Sequence, residues 1–365
     1  MKELIRQLTI PRTATIRDAL QCIDIGGKAI ALVLQEDGRL CNTLTDGDIR
    51  RAILAGSDTN SPVSNAIALK MTRGRGTAVT APAGTDHASI LQLMEANGIR
   101  QVPLVNDRGE VVELVTLDDV QTGLELPVAA LIMAGGLGTR LRPLTDHVPK
   151  TMLPVGDKPL LEWIIRQLRA AGISRVYVAT HHMPEKITKY FGDGGQFGVE
   201  ITYLHESKPL GTAGALSLID DEADTLFLLN GDILTRVNFE AMLFFHHEYA
   251  ADMTVAVSQY DVCVPYGVVQ CDGPLVQAIT EKPVSNFLVS AGIYVIGPEA
   301  RRLVPKNDRF DATDLIRTLL QMKRSVISFP ILEYWLDIGR HGDYERAQVD
   351  VMAAGFSAGG GRSDI

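Results

Sequence analysis

Residues 131–150 read LIMAGGLGTRLRPLTDHVPK. The apolar run ending at Met133 has the composition of a buried strand, and Gly135, Gly136 and Gly138 follow it directly. Without a Cβ, a glycine loop can turn its N–H groups inward and let an anion approach closely. Arg140 and Lys150 add charge, Arg as a two-pronged donor and Lys as a point charge. Together they point to a phosphate chain as ligand. A Walker loop does not fit, because Gly138 is followed by Thr139-Arg140 instead of Lys-Ser/Thr. A dinucleotide fingerprint does not fit either, because Leu141 stands where its third glycine belongs.

Around this loop, apolar strands at 128–133, 174–180, 199–204, 225–230, 252–258 and 289–296 alternate with amphipathic helices near 158–171, 184–191, 212–219, 238–249 and 311–322. Such alternation predicts an α/β domain: a mostly parallel mixed sheet with helices on both faces. The strand Leu226–Asn230 runs into Gly231-Asp232, and ligands of open α/β sheets bind at carboxyl ends of strands. Trp335-Leu336-Asp337-Ile338-Gly339 carries a second carboxylate. His181-His182 and His246-His247 lack a third ligand at metal spacing and read as ordinary surface or core residues.

The first third of the chain repeats itself. Gly27, Gly38, Thr45 and Asp48 recur as Gly98, Gly109, Thr116 and Asp119, each 71 residues on. Each unit has a helix (Ile16–Ile25; Ala88–Asn97), a strand, a turn, and a second strand ending in Thr-x-x-Asp before another helix. One copy of Thr-x-x-Asp is a helix-capping pattern; two in register are a repeat architecture. This places a repeat pair at 1–122 (about 1–60 and 65–122), a linker at 123–127, the α/β domain at 128–350 and a disordered tail at 351–365.

Both halves resemble known families. Leu131–Val155 follows the signature xxAGGxGTRLxPLTxxxPKxxLPV of sugar-phosphate nucleotidyltransferases, with a Rossmann-like fold. The resemblance implies that Ala134, Gly135, Gly136, Gly138 and Thr139 cradle the nucleotide, that Arg140 and Lys150 neutralise its phosphates, and that Asp232 and Asp337 hold Mg²⁺. It further implies that Lys282 of the Glu281-Lys282-Pro283 segment binds the phosphate of a sugar 1-phosphate, with Glu281, Gly231 and Gly292 beside the sugar. Ser290 stands where that family carries Asn. Glu206 to Ala213, ESKPLGTA, resembles the segment that cups the base, with Gly211 and Thr212 against the nucleotide. Uridylyl and thymidylyl members carry Gln where this chain has Glu206. An ionised carboxylate only accepts hydrogen bonds and suits the two adjacent donors of guanine, so GTP is favoured.

The repeat resembles a tandem CBS pair, a Bateman module. That resemblance implies an adenine nucleotide, its ribose held by Asp48 and Asp119 and its phosphate near Thr45 and Thr116, and a homo-oligomer. A CBS pair fused to this catalytic domain resembles a group that includes glucosamine-1-phosphate guanylyltransferases serving legionaminic acid and related surface glycans. Uridylyl or thymidylyl transfer, a mannose or heptose 1-phosphate, and a non-catalytic nucleotide sensor are the alternatives.

The net charge of −9 argues against nucleic-acid binding but not against a nucleotide in a local positive cleft. No stretch has the length of a membrane span, and no signal peptide or CxxC pair is visible. A cytoplasmic protein is expected. No hexapeptide repeat follows Gly339, so no fused β-helix is expected.

Overall fold

The 71-residue offset persists in the backbone. Thr9–Pro11 runs parallel to Ile30–Leu34, which pairs antiparallel with Leu40–Thr45. Ala81–Pro82, Gln101–Val105 and Val111–Thr116 repeat this order. Even the bulge recurs: the register shifts between Val33 and Leu34 in the first unit and between Leu104 and Val105 in the second. The helices Ile16–Gly26 and His87–Asn97 start at capping side chains, Thr15 and Asp86, and end at left-handed Gly27 and Gly98. A computed structural model describes residues 2–74, 76–120, 128–219 and 225–353, and they fall into two compact units that divide near residue 126. The expected linker at 123–127 and residues 354–365 of the expected tail lie outside the described residues.

The second unit is built on one seven-stranded sheet. Its strands are β1 (Ala129–Met133), β2 (Arg175–Thr180), β3 (Glu200–His205), β4 (Leu226–Asn230), β5 (Met253–Cys263), β6 (Val284–Ile296) and β7 (Val326–Pro330). The order is β3-β2-β1-β4-β6-β5-β7. Four of the six pairings are parallel; β6 runs antiparallel to both neighbours. Ala129–Ile132 and Leu226–Leu229 are buried throughout, as expected of strands covered on both faces. The flanking helices are α1 (Leu160–Ala170), α2 (Pro184–Phe191), α3 (Phe239–Glu248), α4 (Ala312–Gln321) and α5 (His341–Ala353). In α1, Leu161, Ile164, Ile165 and Leu168 recur at helical spacing and are buried, each stabilising the unit by about 1.5–3 kcal/mol.

Several expectations need correction. Residues 212–219 do not form a regular helix: a single turn, Gly211–Gly214, passes into a 3₁₀ stretch, Ala215–Leu218. Gly211 has φ +81°, and a Cβ on Gly214 would stand 2.8 Å from Leu210 Cβ and 3.0 Å from the Asp308 carbonyl. β7, α5 and the hairpin Val268–Asp272/Leu275–Thr280 were not expected. β5 and β6 run well beyond the expected 252–258 and 289–296. Helix α5 continues to Ala353, past the boundary expected at 350.

Candidate active site

The carboxyl ends of four parallel strands place the site. Met133 of β1 pairs with Ala179 of β2 and Asn230 of β4, and Thr180 of β2 pairs with His205 of β3. The next residues continue the ladder: Ala134 N–H donates to the Ala179 carbonyl (2.8 Å), Glu206 N–H to Thr180 (2.9 Å) and Gly231 N–H to Met133 (3.0 Å). Glu206, His181, the glycine loop and Gly231-Asp232 therefore form one row. Strand order reverses between β1 and β4, the switch point where α/β sheets open a crevice.

The glycines of this row are constrained differently. Gly138 has φ +62°, and a Cβ there would meet Thr145 Cγ2 at 2.8 Å; the Thr145 hydroxyl donates to the Gly138 carbonyl. Gly138 then leads into a 3₁₀ turn, Thr139–Leu141, that presents Thr139 and Arg140 to solvent. A Cβ on Gly231 would stand 2.6 Å from the Met133 carbonyl and 2.7 Å from Thr151 Cγ2. Only open space faces Gly136.

Opposite the loop, Lys150 Nζ donates to Asp232 Oδ2 at 2.5 Å, and only 10% of the Lys150 side chain is exposed. Asp337 is brought alongside by a short ladder, Ile233–Thr235 with Trp335–Asp337, in which Ile233 pairs with Asp337. Ile338 N–H donates to the Asp232 carbonyl (3.0 Å). Part of Asp337 meets solvent, but desolvation of its carboxyl pushes its pKa up, and the charge of Asp232 pushes it further; Lys150 and Arg140 oppose this, and Asp343 adds to it. Arg140 Nη1 and Asp337 Oδ2 both lie 3.8 Å from where a Cβ of Gly339 would stand. Arg140 has no ion pair among the described residues. A small core of Leu141, Leu153, Trp163, Leu234, Leu336 and Ile338 locks these segments together.

Two facing carboxylates with cations around them fit a divalent metal by the chemistry of the donors. Among the described residues no group of three or more His, Cys, Asp or Glu side chains could hold a metal by itself.

Glu206 is 4% exposed, and its Oε1 has no hydrogen-bond partner. Oε2 lies 3.0 Å from where a Cβ of Gly135 would stand. Burial pushes the carboxyl's pKa up, opposed by His181 and by the Leu210 N–H. His181 Nδ1 donates to the Glu206 backbone carbonyl at 2.8 Å. Nothing in the sequence marked His181 as a site residue, whereas His246 does sit in the core, bonded to Thr254. Thr151, whose buried Oγ1 also lacks a partner, and Asn230, whose Nδ2 lies 2.5 Å from where a Cβ of Gly292 would stand, were missed as well. Both lie inside motifs whose more familiar residues drew the reading.

Other expected residues lie apart. Thr212 N–H donates to Asp311 Oδ1 (2.9 Å), Ala312 N–H donates to the Thr212 hydroxyl (2.9 Å), and a Cβ on Gly211 would meet Asp311 Oδ1 at 2.6 Å. Gly211 and Thr212 are thus engaged with the start of α4. Gly292 sits at φ +70° beside a register shift between β5 and β6. The Ser290 hydroxyl bonds to that of Tyr294 (2.9 Å). Glu281 and Lys282 are exposed between the hairpin and β6, with Lys282 at φ +44°. No contact ties them to the Asp pair among the described residues.

In the first unit, Thr45 and Thr116 each donate a hydroxyl hydrogen bond to the Asp three residues on, Asp48 (3.0 Å) and Asp119 (2.7 Å). The two Asp differ in surroundings. Asp48 is buried and paired with Arg51 (2.6 Å) and Lys70 (3.1 Å). Asp119 is half-exposed, and among the described residues its one ion-pair partner is Lys28 of the other repeat, at 3.6 Å.

Known proteins share both units. A solved structure described as a glucose-1-phosphate thymidylyltransferase of Bacillus anthracis in complex with a sucrose superposes at TM-score 0.51 with 24% identity, covering 63% of this chain and 97% of that one; this likeness concerns the fold alone. Mannose-1-phosphate guanyltransferases of Kluyveromyces lactis (33% identical over 226 residues) and Saccharomyces cerevisiae (32% over 228) each align with 59% of this chain. The chain spans 62% of the length of these relatives. The CBS domain family matches residues 2–55 and 61–125. No described helix is long and apolar enough to cross a membrane. The nucleotidyl transferase family, whose members generally use a divalent metal, matches residues 129–354, and the chain belongs to it.

Proposed function

We propose that the chain transfers a guanylyl group from GTP to a hexose 1-phosphate, forming a nucleotide sugar and releasing pyrophosphate. The observation that carries this reading is the crevice at the β1/β4 switch point, where the glycine loop, Lys150, Arg140, Asp232 and Asp337 meet. A sugar phosphate oxygen attacks the α-phosphorus, and the bond to the β-phosphate oxygen breaks. The nucleophile is already an anion, so no general base is needed; alignment and charge neutralisation remain.

Loop N–H groups from Gly135 to Thr139 hold the triphosphate, with Gly136 at the open position; Ala134, whose N–H is taken by the Ala179 carbonyl, leads into the loop. Arg140 neutralises charge gathering on the leaving pyrophosphate. Lys150, paired with Asp232, keeps positive charge at the crevice floor. Asp232 and Asp337 are the residues that would hold Mg²⁺, which when bound supplies positive charge to phosphate oxygens. Glu281 and Lys282 meet the sugar phosphate, beside Gly231 and Gly292; Gly211 and Thr212 shape the base pocket from behind. Glu206 accepts from the N1–H and amino group of guanine, and its unbonded Oε1 supports that assignment.

The relatives named as mannose-1-phosphate guanyltransferases support GTP. Mannose 1-phosphate, suggested by those relatives, and glucosamine 1-phosphate, suggested by the fused CBS pair and leading to legionaminic acid-like glycans, are the first two sugars to test. At the CBS pair we place an adenine nucleotide on Thr116 and Asp119, since Asp48 is already ion-paired with Arg51 and Lys70. We take the working form to be a homo-oligomer. Four free cysteines suit the reducing cytoplasm.

The test is pyrophosphate release with Mg²⁺, each of five nucleoside triphosphates being paired with each sugar phosphate. Release with GTP and one hexose 1-phosphate is expected. Release only with UTP or dTTP overturns the base assignment. Nucleotide binding without release from any pair favours a sensor over an enzyme.

A further inference from the structure

The segment that follows β3 has little regular structure of its own. After Glu206, whose N–H still continues the sheet, it makes one turn at Gly211–Gly214 and runs into the 3₁₀ stretch Ala215–Leu218. Backbone groups without an internal ladder must find partners elsewhere. Here they find them at the start of α4. Phe310 N–H donates to the Leu210 carbonyl (2.8 Å), and Ala213 N–H donates to the Phe310 carbonyl (3.0 Å). Beside them, Thr212 N–H donates to Asp311 Oδ1 and Ala312 N–H to the Thr212 hydroxyl, each at 2.9 Å.

The exchange between Asp311 and Thr212 has the logic of a capping box whose two halves lie 99 residues apart. Thr212 satisfies an N–H in the first turn of α4 that has no partner inside the helix, and Asp311 holds Thr212 in return. Neither side can drift. Ala312, Leu315 and Leu319 anchor α4 in the core, and a Cβ on Gly211 would stand 2.8 Å from the Phe310 carbonyl. The ion pairs at the rim, Lys208 with Asp308 (3.9 Å) and Arg309 with Asp311 (3.6 Å), are largely exposed and contribute little. Asp311 Oδ1 is therefore the charged acceptor that joins the segment to the helix.

This junction backs onto Glu206. Leu210 is buried between the two: Phe310 holds its carbonyl, and its N–H faces the Glu206 carboxylate and favours the charged form. A displaced Leu210 takes with it a donor that aims the carboxylate. Hydrogen bonds weaken steeply with misalignment, and accepting from two adjacent donors at once leaves the least tolerance. On the role proposed above for Glu206, we infer that Asp311 is a positioning residue for base selection, acting through Thr212 and Leu210 on the Glu206 carboxylate. Its own oxygen is taken by Thr212, so it works from behind the pocket wall without touching the nucleotide.

Affinities of the full chain for GTP, ITP, UTP, dTTP, CTP and ATP are measured by calorimetry with Mg²⁺. The proteins are the wild type, Asp311→Ala, Asp311→Asn, Glu206→Gln and the double variant Asp311→Ala/Glu206→Gln. ITP lacks the amino group of guanine, so the GTP-to-ITP ratio reports the second hydrogen bond to Glu206. The wild type should prefer GTP by on the order of tenfold or more. Asp311→Ala should narrow this to about threefold, by weakening GTP while ITP changes little. Asp311→Asn keeps an acceptor for the Thr212 N–H and should restore the ratio. In Glu206→Gln, adding Asp311→Ala should leave the ratio where it was. If Asp311→Ala instead weakens every triphosphate equally, the residue is merely structural and the proposal is overturned. A further loss of ratio in the double variant overturns it too, since Asp311 would then act by another route. Should Asp311→Ala fail to fold, Thr212→Val breaks the same exchange from the other side, and an unchanged ratio there is equally decisive. A wild type that binds UTP or dTTP best overturns the guanine reading instead. Asp311 is then judged, in the same variants, by the ratio of that triphosphate to its nearest rival. A wild type without any preference overturns both.

Discussion

Replacing Glu206 with Gln tests the base assignment with two readouts that move in opposite directions. Hydrogen bonds to a charged acceptor contribute about 1.5–3 kcal/mol each. Gln keeps one acceptor and turns an amide donor toward a guanine donor. The loss is therefore about 2–4 kcal/mol, or roughly 30- to 1000-fold in kcat/KM for GTP. Stability should change the other way. The buried Oε1 lacks a partner, and burial raises the Glu206 pKa against the opposition of His181 and the Leu210 N–H. A raised carboxyl pKa means that the folded state binds the proton more tightly than the unfolded state. The penalty is absent below the ordinary carboxylate value and complete above the raised one, so wild-type stability falls as pH rises through that window. Glu206→Gln removes this slope and should be more stable at neutral pH by about 1 kcal/mol, roughly 2–4 °C in Tm. Pyrophosphate release with each triphosphate, and thermal melts at acid and neutral pH, measure both effects. A variant with unchanged kcat/KM for GTP would refute the reasoning. So would one that loses every nucleotide equally while melting earlier, because Glu206 would then be a structural residue.

Three further predictions address the other parts of the site. Asp232→Asn leaves the Lys150 ammonium without its counterion and should lower kcat by about 10²–10³; Lys282→Ala should do the same with an unchanged Tm and unchanged GTP binding by calorimetry, since Lys282 is exposed. Gly136→Ala meets nothing within 4 Å and should leave the melt unchanged while weakening GTP binding, whereas Gly231→Ala forces a Cβ against the Met133 carbonyl and should cost about 1–3 kcal/mol of stability in denaturant titrations. Asp48→Ala strands Arg51 and Lys70 and should cost about 3 kcal/mol, while Asp119→Ala should abolish adenine-nucleotide binding by calorimetry with little change in the melt. Both carboxylates are acid-sensitive. Burial works against the charge of Asp119, but Thr116 and Lys28 outweigh it and lower its pKa. Asp48 is the buried one. Burial works against its charge, but Lys70, Arg51 and the Thr45 N–H outweigh burial and lower its pKa, so its contribution is complete above the ordinary Asp value and is lost as pH falls through the lowered one.

The fold was legible wherever burial wrote it into the sequence. β1 and β4 are apolar runs because strands covered on both faces admit little else, whereas β2 shows as an alternating run, with Val176 and Val178 facing inward, and the edge strand β3 buries only Ile201 and Leu204. β5 and β6 were legible only over their buried halves. Past Val257, and before Val289, neither face is covered, so nothing demands alternation and the strands look like loop. The hairpin at 268–280 was invisible for the same reason. Helix α5 buries only Ala347 fully, too little to mark an amphipathic stripe.

At the strand ends, the residues that cluster were legible as a motif, but what each does there was not. A glycine in a motif has two physical causes that a sequence cannot separate: its Cβ is excluded by a ligand or by the protein. The neighbours of each position separate them. Gly211, Gly231 and Gly292 are crowded by Asp311, Met133 and Asn230, so the fold alone requires them. Gly136 is crowded by nothing, so the fold does not require it, and the proposed triphosphate gives it a purpose. Gly135 belongs to neither class. Its missing Cβ makes room for Glu206 Oε2 at 3.0 Å and for the His181 backbone nitrogen at 3.3 Å. A larger residue at 135 would push directly on the carboxylate proposed to read the base. The phosphate loop and the base-reading acid are thus one packing unit. On the proposed assignment of Glu206, selectivity for the base depends on a glycine whose motif speaks only of phosphate.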